Sequence, residues 1–251
     1  PESLWKISAK DKAKFDGLHS FLWLTKLDRK NKKFVIQEII KSWMNIYFNY
    51  HPNTWEMEIT AKRIIAWASN TDITLENSEK IYKENFFLSI SKQSNFLLNN
   101  LNNLLQSPVR IICCASIILS GIIFKENTLN YKIGIRELEK NIKNNFDQNG
   151  FPKSRNPEDV FTSIKYLILI REWLKESQSE IPIYLDEIIF YLGKSYSILC
   201  KGMKKSILFN GNHETDNKDF DQYLNNHRYK FKSNSFEAGG YAVFKNKKIC
   251  L

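Results

Sequence analysis

The stretch Val109-Arg110-Ile111-Ile112-Cys113-Cys114-Ala115-Ser116-Ile117-Ile118-Leu119-Ser120-Gly121-Ile122-Ile123-Phe124 decides the fold class. Its 16 residues fall short of the roughly 20 that a helix needs to cross a bilayer, and Arg110 stands near its start. Pro108 precedes it, at the first helical position, where a fixed φ and a missing N–H cost little. The run predicts a buried core helix, with Cys113 and Cys114 as small apolar fillers. A helix that is apolar on all sides has to be enclosed by other elements, and the flanking sequence supplies them.

Downstream, helices are predicted over 133–146, over 157–177 behind Pro157, over 184–200 behind Pro182, and over the polar segment 218–227. Upstream, 79–105 reads as a long helix with a break near Ser91, and 56–70 as another. Residues 34–48 carry Ile36, Ile39, Ile40, Trp43, Ile46 and Tyr47 at helical spacing, and Phe15, Leu18, His19, Leu22 and Trp23 form one further stripe. His19, on an apolar stripe, reads as a satisfied core histidine. Short loops between such helices imply successive antiparallel hairpins. Eight or nine helices then make a superhelix or a closed α/α toroid, and the lack of a fixed repeat disfavours a regular solenoid. Nine Gly and six Pro among 251 residues argue against an all-β protein, which needs many tight turns.

From Ser233 the character changes. Gly239-Gly240 introduces Tyr241-Ala242-Val243-Phe244, then Lys245-Asn246-Lys247-Lys248, then Ile249-Cys250-Leu251, which reads as strand, polar turn, strand. A lone hairpin is marginal in water, so it is expected to open a β domain that continues past Leu251. The division is residues 1–232 for the helical domain and 233–251 for the start of the second. Because the chain opens on Pro1 rather than Met, it reads as a trimmed piece, and no targeting segment can be read from it.

Charge narrows the partner. The 37 Lys+Arg against 27 Asp+Glu leave a formal charge of +10, which suits a polyanion: an acidic polysaccharide, nucleic acid or an anionic surface. Heavy use of Lys, Asn and Ile throughout offers a purely compositional reading of the same number. No nucleic-acid module accompanies the charge, and the dense tracts are short, 29–33 and 245–248. The four cysteines, Cys113, Cys114, Cys200 and Cys250, show no metal-ligand or disulfide spacing. No cofactor is implied either: there is no phosphate loop, dinucleotide fingerprint or serine-nucleophile elbow.

Three segments carry possible chemistry. Asp147-Gln148-Asn149-Gly150-Phe151-Pro152-Lys153-Ser154-Arg155-Asn156-Pro157 joins two apolar helices, with Asn156 as a helix cap. Lys153 and Arg155 stand at the positive end of that helix, where cations are disfavoured, which suggests that an anion shares the site. Phe209-Asn210-Gly211-Asn212-His213-Glu214-Thr215-Asp216 offers a tight turn and, in His213, a group that titrates near neutrality; it also reads as an ordinary polar loop with Asp216 as a cap. Trp55 precedes Thr60, Arg63 and Trp67, which share a helical face. Trp67 reads as core, and an exposed Trp55 would make a sugar-stacking platform. His51 and His227 lack partners at ligand spacing, so no metal site is expected.

These segments resemble the heparinase II/III-like family, in its alphaproteobacterial branch. The matching pieces are Phe15-Asp16-Gly17-Leu18-His19-Ser20-Phe21-Leu22-Trp23-Leu24, Asn53-Thr54-Trp55 with Thr60-Ala61-Lys62-Arg63-Ile64-Ile65-Ala66-Trp67, Gly150 with Ser154-Arg155-Asn156-Pro157, and Phe209-Asn210-Gly211. Their order along the chain matches too. The resemblance implies an all-α, incomplete (α/α) toroid of antiparallel hairpins followed by a β-sandwich domain, of which the C-terminal hairpin would be the truncated start. It also implies polysaccharide lyase chemistry: β-elimination of uronic-acid-containing chains, with an Asn or His neutralising the uronate carboxylate and a Tyr or His acting as base. Two departures stand out. The branch has Asp-Gly-Gly-His ahead of Ser-Arg-Asn-Pro, where this chain has Gln148 and Asn149 followed by Gly150 to Lys153, so that histidine is missing. The catalytic tyrosine has no clear counterpart, although Tyr223 and Tyr229 lie nearby in sequence.

The resulting expectation is a lyase-like protein acting on a heparin-, heparan-sulfate- or alginate-like polymer, weak or inactive as this chain alone. Asn156 is the expected neutraliser, Arg155 a carboxylate or sulfate clamp, and His213 a proton-transfer candidate. Lys153, Ser154, Asn210, Trp55 and Arg63 are expected to bind substrate, the last two as subsite or framework residues. The alternative is a catalytically inactive, anionic-glycan-binding toroid protein, and a helical nucleic-acid binder is the third.

Overall fold

The computed structural model describes residues 2–27, 32–104, 108–124, 128–199, 210–211, 217–233, 235 and 237–243. Ten α-helices run through the described residues: α1 Lys12–His19, α2 Lys33–Tyr47, α3 Met57–Ala68, α4 Thr71–Thr74, α5 Lys80–Asn100, α6 Pro108–Ile123, α7 Thr128–Asn145, α8 Pro157–Glu176, α9 Ile183–Leu199 and α10 Asn217–Asn226. Among the described residues no helix is long and apolar enough to cross a membrane. The chain divides into two compact units, Pro1–Leu105 with Ile112–Arg136, and Gln106–Ile111 with Glu137–Leu251.

Most predicted helices are present, with instructive differences. The stripe from Phe15 to Trp23 is not one helix: α1 stops at His19, Phe21 takes a left-handed φ of 56°, and Leu22–Lys26 continue as a 3-10 turn. The apolar spacing survives because both pieces bury into one core. α5 runs unbroken through Ser91, since serine inside a helix lacks the ring clash that lets proline break one. The short α4 follows α3, with Thr74 Oγ1 bonded to the Asn70 carbonyl 3.0 Å away. In α6 every residue from Arg110 to Gly121 is buried, as its apolar sequence requires. Cys200 and Cys250 lie outside the described residues.

The first unit is built round an aromatic cluster. Trp43 and Trp67 meet edge to face with ring centres 5.4 Å apart, Phe21 sits edge-on to Trp67 at 5.3 Å, and Phe86 stacks on Trp67 at 5.3 Å. Such pairs add about 0.5–1.5 kcal/mol each beyond their burial. His19 lies in this cluster. Its Nδ1 accepts the Trp43 indole N–H at 3.1 Å, so the neutral ring carries its proton on Nε2, which has no partner among the described residues. The core histidine is thus only half satisfied.

Burial, with Arg63 and His51 adding to it, lowers the His19 pKa to about 4. The folded protein therefore binds this proton less readily than the unfolded chain, whose histidines titrate near 6.5. The contribution is fully present above about pH 6.5 and is lost as pH falls toward 4, roughly 2–3 kcal/mol by pH 4.5. Urea midpoints at pH 7 and pH 4.5 should show this loss. His19→Gln, which keeps an acceptor for Trp43 but gains no proton there, should show a smaller one; equal losses in both proteins would remove His19 as the cause.

The second unit is centred on the α8–α9 hairpin, whose Val160, Ile164, Leu167, Leu174, Leu185 and Leu192 are fully buried. α10 is seated on it: the Tyr196 hydroxyl donates to Asp221, and the Tyr223 hydroxyl donates to the Lys165 carbonyl at 2.8 Å. A buried ion pair, Arg110 Nη2 to Glu137 Oε2 at 2.8 Å, ties the first turn of α6 to α7.

The C-terminal hairpin differs from the expected one. Glu237–Ala238 pairs antiparallel with Tyr241–Ala242, so Gly239-Gly240 is the turn itself rather than the lead into a strand. Both glycines have positive φ, 60° and 81°, the signature of a two-residue primed turn that twists with its strands. The expected turn at Lys245–Lys248 and the strand after it lie outside the described residues.

Candidate functional site

The loop between α7 and α8 is organised by Asp147. Its Oδ1 accepts the backbone N–H groups of Asn149 and Phe151, both at 2.9 Å, an Asx-type turn that substitutes for backbone pairing. The Lys153 N–H then donates to the Asn145 carbonyl at 2.8 Å, and Phe146 bridges Pro152. Gly150, at φ 70°, lies so close to α9 that a Cβ on it would stand 2.4 Å from the Tyr191 Cβ. Only glycine meets both demands.

At the far end of this loop Asn156 caps α8, its Oδ1 accepting the Glu158 N–H at 2.9 Å, with Pro157 opening the helix. The cap occupies one end of the amide. Its Nδ2 donates to no group among the described residues and faces Gly211, 3.6 Å from where a Cβ on that glycine would stand. The Asn210-Gly211 turn is held here by Asn210 Nδ2, which donates to the Ser154 carbonyl at 2.8 Å. Arg155 and Asn210 both have left-handed backbones, φ 62° and 51°. That conformation costs a residue with a Cβ about 1–2 kcal/mol, and such strain gathers at functional sites.

The basic residues have partners within the chain. Arg155 Nη1 donates to Asp147 Oδ2 at 3.1 Å and to the Gly239 carbonyl, with the guanidinium 5.8 Å above the Phe151 ring. Lys153 Nζ donates to the Asn144 carbonyl at 2.8 Å, in the last turn of α7, where a cation meets the negative end of the helix. The expectation that a foreign anion must balance these charges is corrected: Asp147 and the α7 terminus already do so in part. Arg155 nevertheless stays 40% exposed, and its Nε and Nη2 donate to no group among the described residues.

Beside the turn lies a cleft of about 440 Å³ lined by Asn141, Asn144, Lys153, Ser154, Asp159 and Ser163. The Ser154 hydroxyl donates to Asp159. Burial holds the Asp159 carboxyl above its ordinary range, against the Ser154 bond and with help from Glu158. Asn141 Nδ2 and Ser163 Oγ are buried and have no hydrogen-bond partner among the described residues, a condition uncommon in protein interiors. Sequence reasoning missed all four of these side-chain roles. Asp147 opens the segment that was singled out and Asp159 lies two residues past its end, whereas Asn141 and Ser163 reach the same cleft only through helix packing and carry no local signal.

Five expected site residues, Lys153, Ser154, Arg155, Asn156 and Asn210, therefore come together in the second unit. Trp55 and Arg63 belong to the first unit. Trp55, in the first unit, is 3% exposed, donates its indole N–H to the Tyr47 carbonyl at 3.0 Å and packs edge-on to Phe96, so it is core and not a sugar platform. Arg63 is also in the first unit and fully buried. Its guanidinium donates to Gln93, the His19 and Thr54 carbonyls and Thr60 and lies 4.1 Å from the Trp43 ring centre. Of the two roles expected for Trp55 and Arg63, burial leaves the framework one. His213 lies outside the described residues. Burial raises the phenol pKa of both Tyr223 and Tyr229, the wrong direction for a base. Among the described residues no group of three or more His, Cys, Asp or Glu side chains could hold a metal.

The comparisons with known proteins bear on the fold. No protein-family model matches the sequence, and no curated protein is significantly similar to it. Among solved structures, the crystal structure of heparinase III superposes with a TM-score of 0.66 over 88% of this chain, at 16% identity. This chain spans 38% of the length of that one. The likeness shows the fold: a predominantly helical chain of the α/α toroid class, as the resemblance implied.

Proposed function

We propose that this chain is the helical part of a polysaccharide lyase of the heparinase II/III-like family, cleaving a uronate-containing anionic polysaccharide by β-elimination. The carrying observation is the paired turn, in which Asn156 gives its oxygen to the helix cap and, among the described residues, both its amide donor and the Nε–Nη2 edge of Arg155 have no partner. Asn156 Nδ2 donates to the uronate carboxylate and so stabilises the enolate-like anion that forms when C5 loses its proton. The Arg155 edge holds a carboxylate or sulfate in a two-point grip. Lys153, Ser154 and Asn210 shape the surrounding surface. A base takes the C5 proton, that electron pair becomes the C4–C5 double bond, and the C4–oxygen bond breaks as the leaving oxygen accepts a proton. His213 is the candidate for a proton-transfer step, and residues 233–251 begin a β-sandwich domain.

The test is incubation of the protein, at its natural length, with heparan sulfate, alginate and polygalacturonate while following the ultraviolet absorbance of the unsaturated product. Arg155→Ala should lower the initial rate about tenfold or more, the worth of a charge-assisted grip, with the helical circular dichroism unchanged. An unaltered rate would refute the role given to Arg155. A second reading, a glycan-binding protein without turnover, is favoured by the residues Gln148 to Lys153, which lack the histidine of the Asp-Gly-Gly-His pattern, and by the lack of a clear counterpart to the catalytic tyrosine. Saturable binding of these polymers with no product would establish it.

A further inference from the structure

A second cleft, larger than the one beside the turn, opens in the same unit. It encloses about 880 Å³ between the last turns of α8, one side of α9 and the segment after α10, within the size range of ligand sites. The segment 228–232 is pinned there by Phe231, whose ring presses on the α9 backbone where a Cβ on Gly193 would stand 2.0 Å from it. From Arg228 to Lys232 exposure alternates: Arg228, Lys230 and Lys232 are exposed, while Tyr229 and Phe231 are turned partly inward. Arg228 takes a left-handed φ of 62° that ends α10, and beyond it alternation in extended backbone sets Lys230 and Lys232 on one side about 6.6 Å apart. Lys175 of α8 and Lys194 of α9 line the same cleft.

The acidic residues do not cancel this charge. Glu172 and Asp186, also in the lining, are both held by Arg171. Among the described residues no acid lies within ion-pair distance of Lys175, Lys194, Arg228, Lys230 or Lys232. Five unpaired cations in one concavity focus a positive field, and Phe190, 61% exposed on the rim, offers an apolar face against which a sugar ring can lie.

We infer that this cleft is a second binding site for a linear anionic polysaccharide, which rests its carboxylate or sulfate groups on these five cations and one sugar face on Phe190. That the polyanion is a glycan rests on the proposed function; the cleft's charge does not. The residues are separate from the Ser154–Asn156 turn, so the site serves to hold the polymer rather than to react with it.

The test is titration of the natural-length protein with heparin and with polygalacturonate at low salt, alongside a single-stranded oligonucleotide. The triple variant Arg228→Ser, Lys230→Ser, Lys232→Ser should bind the glycans about tenfold more weakly, the sum of three exposed charge contacts. The double variant Lys175→Ser, Lys194→Ser, on two separate helices, should weaken binding in the same sense and stands in if the triple variant misfolds. Wild-type affinity in both variants overturns the proposal, as does tighter binding of the oligonucleotide than of either glycan. If no unsaturated product ever forms but the variants lose glycan affinity, the lyase reading falls and this site stands. If product forms and the variants bind normally, the reverse holds.

Discussion

Asn156→Asp should lower the rate of unsaturated-product formation by about 10²–10³-fold while leaving the fold intact. Aspartate caps a helix as well as asparagine, and a negative charge at the start of α8 is favoured by the helix dipole, so the bond to the Glu158 N–H survives. The lost feature is the Nδ2 donor, replaced by an anionic oxygen that repels a uronate carboxylate. Removing one preorganised donor of this kind costs about 3–4 kcal/mol of transition-state stabilisation. Asn156→Ser, which keeps a capping oxygen but has only a shorter hydroxyl that cannot reach the Nδ2 position, and adds no charge, should fall between wild type and the aspartate variant. Rates within threefold of wild type in both variants would leave Asn156 as a helix cap and nothing more.

Arg63→Ala should destabilise the first unit by about 3–5 kcal/mol, read as a fall in the denaturant midpoint. The guanidinium is buried without a carboxylate, so it is held by neutral acceptors and by the Trp43 face. Two of those acceptors are main-chain carbonyls, one of them His19 at the end of α1, where the helix dipole is negative. Desolvation presses the Arg63 pKa well below its ordinary value, the direction expected of a buried cation that these bonds have to stabilise. Truncation opens a cavity and leaves the His19 and Thr54 carbonyls and the Gln93 amide oxygen buried with nothing to accept, and each orphaned group costs about 1–3 kcal/mol. Arg63→Met separates the two causes, since methionine fills the space but donates nothing. Full recovery with methionine would show that packing alone mattered. A loss below about 1 kcal/mol in Arg63→Ala would show that the network is dispensable.

Much of the architecture was legible because helix signals are local. The 3.6-residue period of α2, the prolines opening α6 and α8, and the all-round apolarity of α6 each fix an element from a short window. The failures have local causes too. Residues 15–23 read as one helix because periodicity records which side chains are buried, not whether the backbone stays helical, and the left-handed Phe21 leaves no trace in it. At the C-terminus, Gly239-Gly240 reads in sequence as the lead into a strand, whereas its paired positive φ values make it the turn between Glu237–Ala238 and Tyr241–Ala242. Trp55 and Arg63 were read as exposed or framework residues from type alone, and type does not report depth.

For the candidate site, the sequence by itself determined the cap-and-proline start of α8, the glycine turn at Asn210-Gly211 and the surplus of positive charge. These depend on residue identity and on neighbours a few positions apart. Tertiary structure alone decided that the two turns meet through Asn210 and Ser154, that Asp147 and the Gly239 carbonyl take one nitrogen of Arg155, and that Trp55 and Arg63 are core. It alone gathered Lys175, Lys194 and the 228–232 segment round one concavity. Each of these is a contact between residues distant in sequence, set by how whole helices pack. No local window carries that information, because the same side chain can be buried, paired or open depending on what the rest of the chain brings against it.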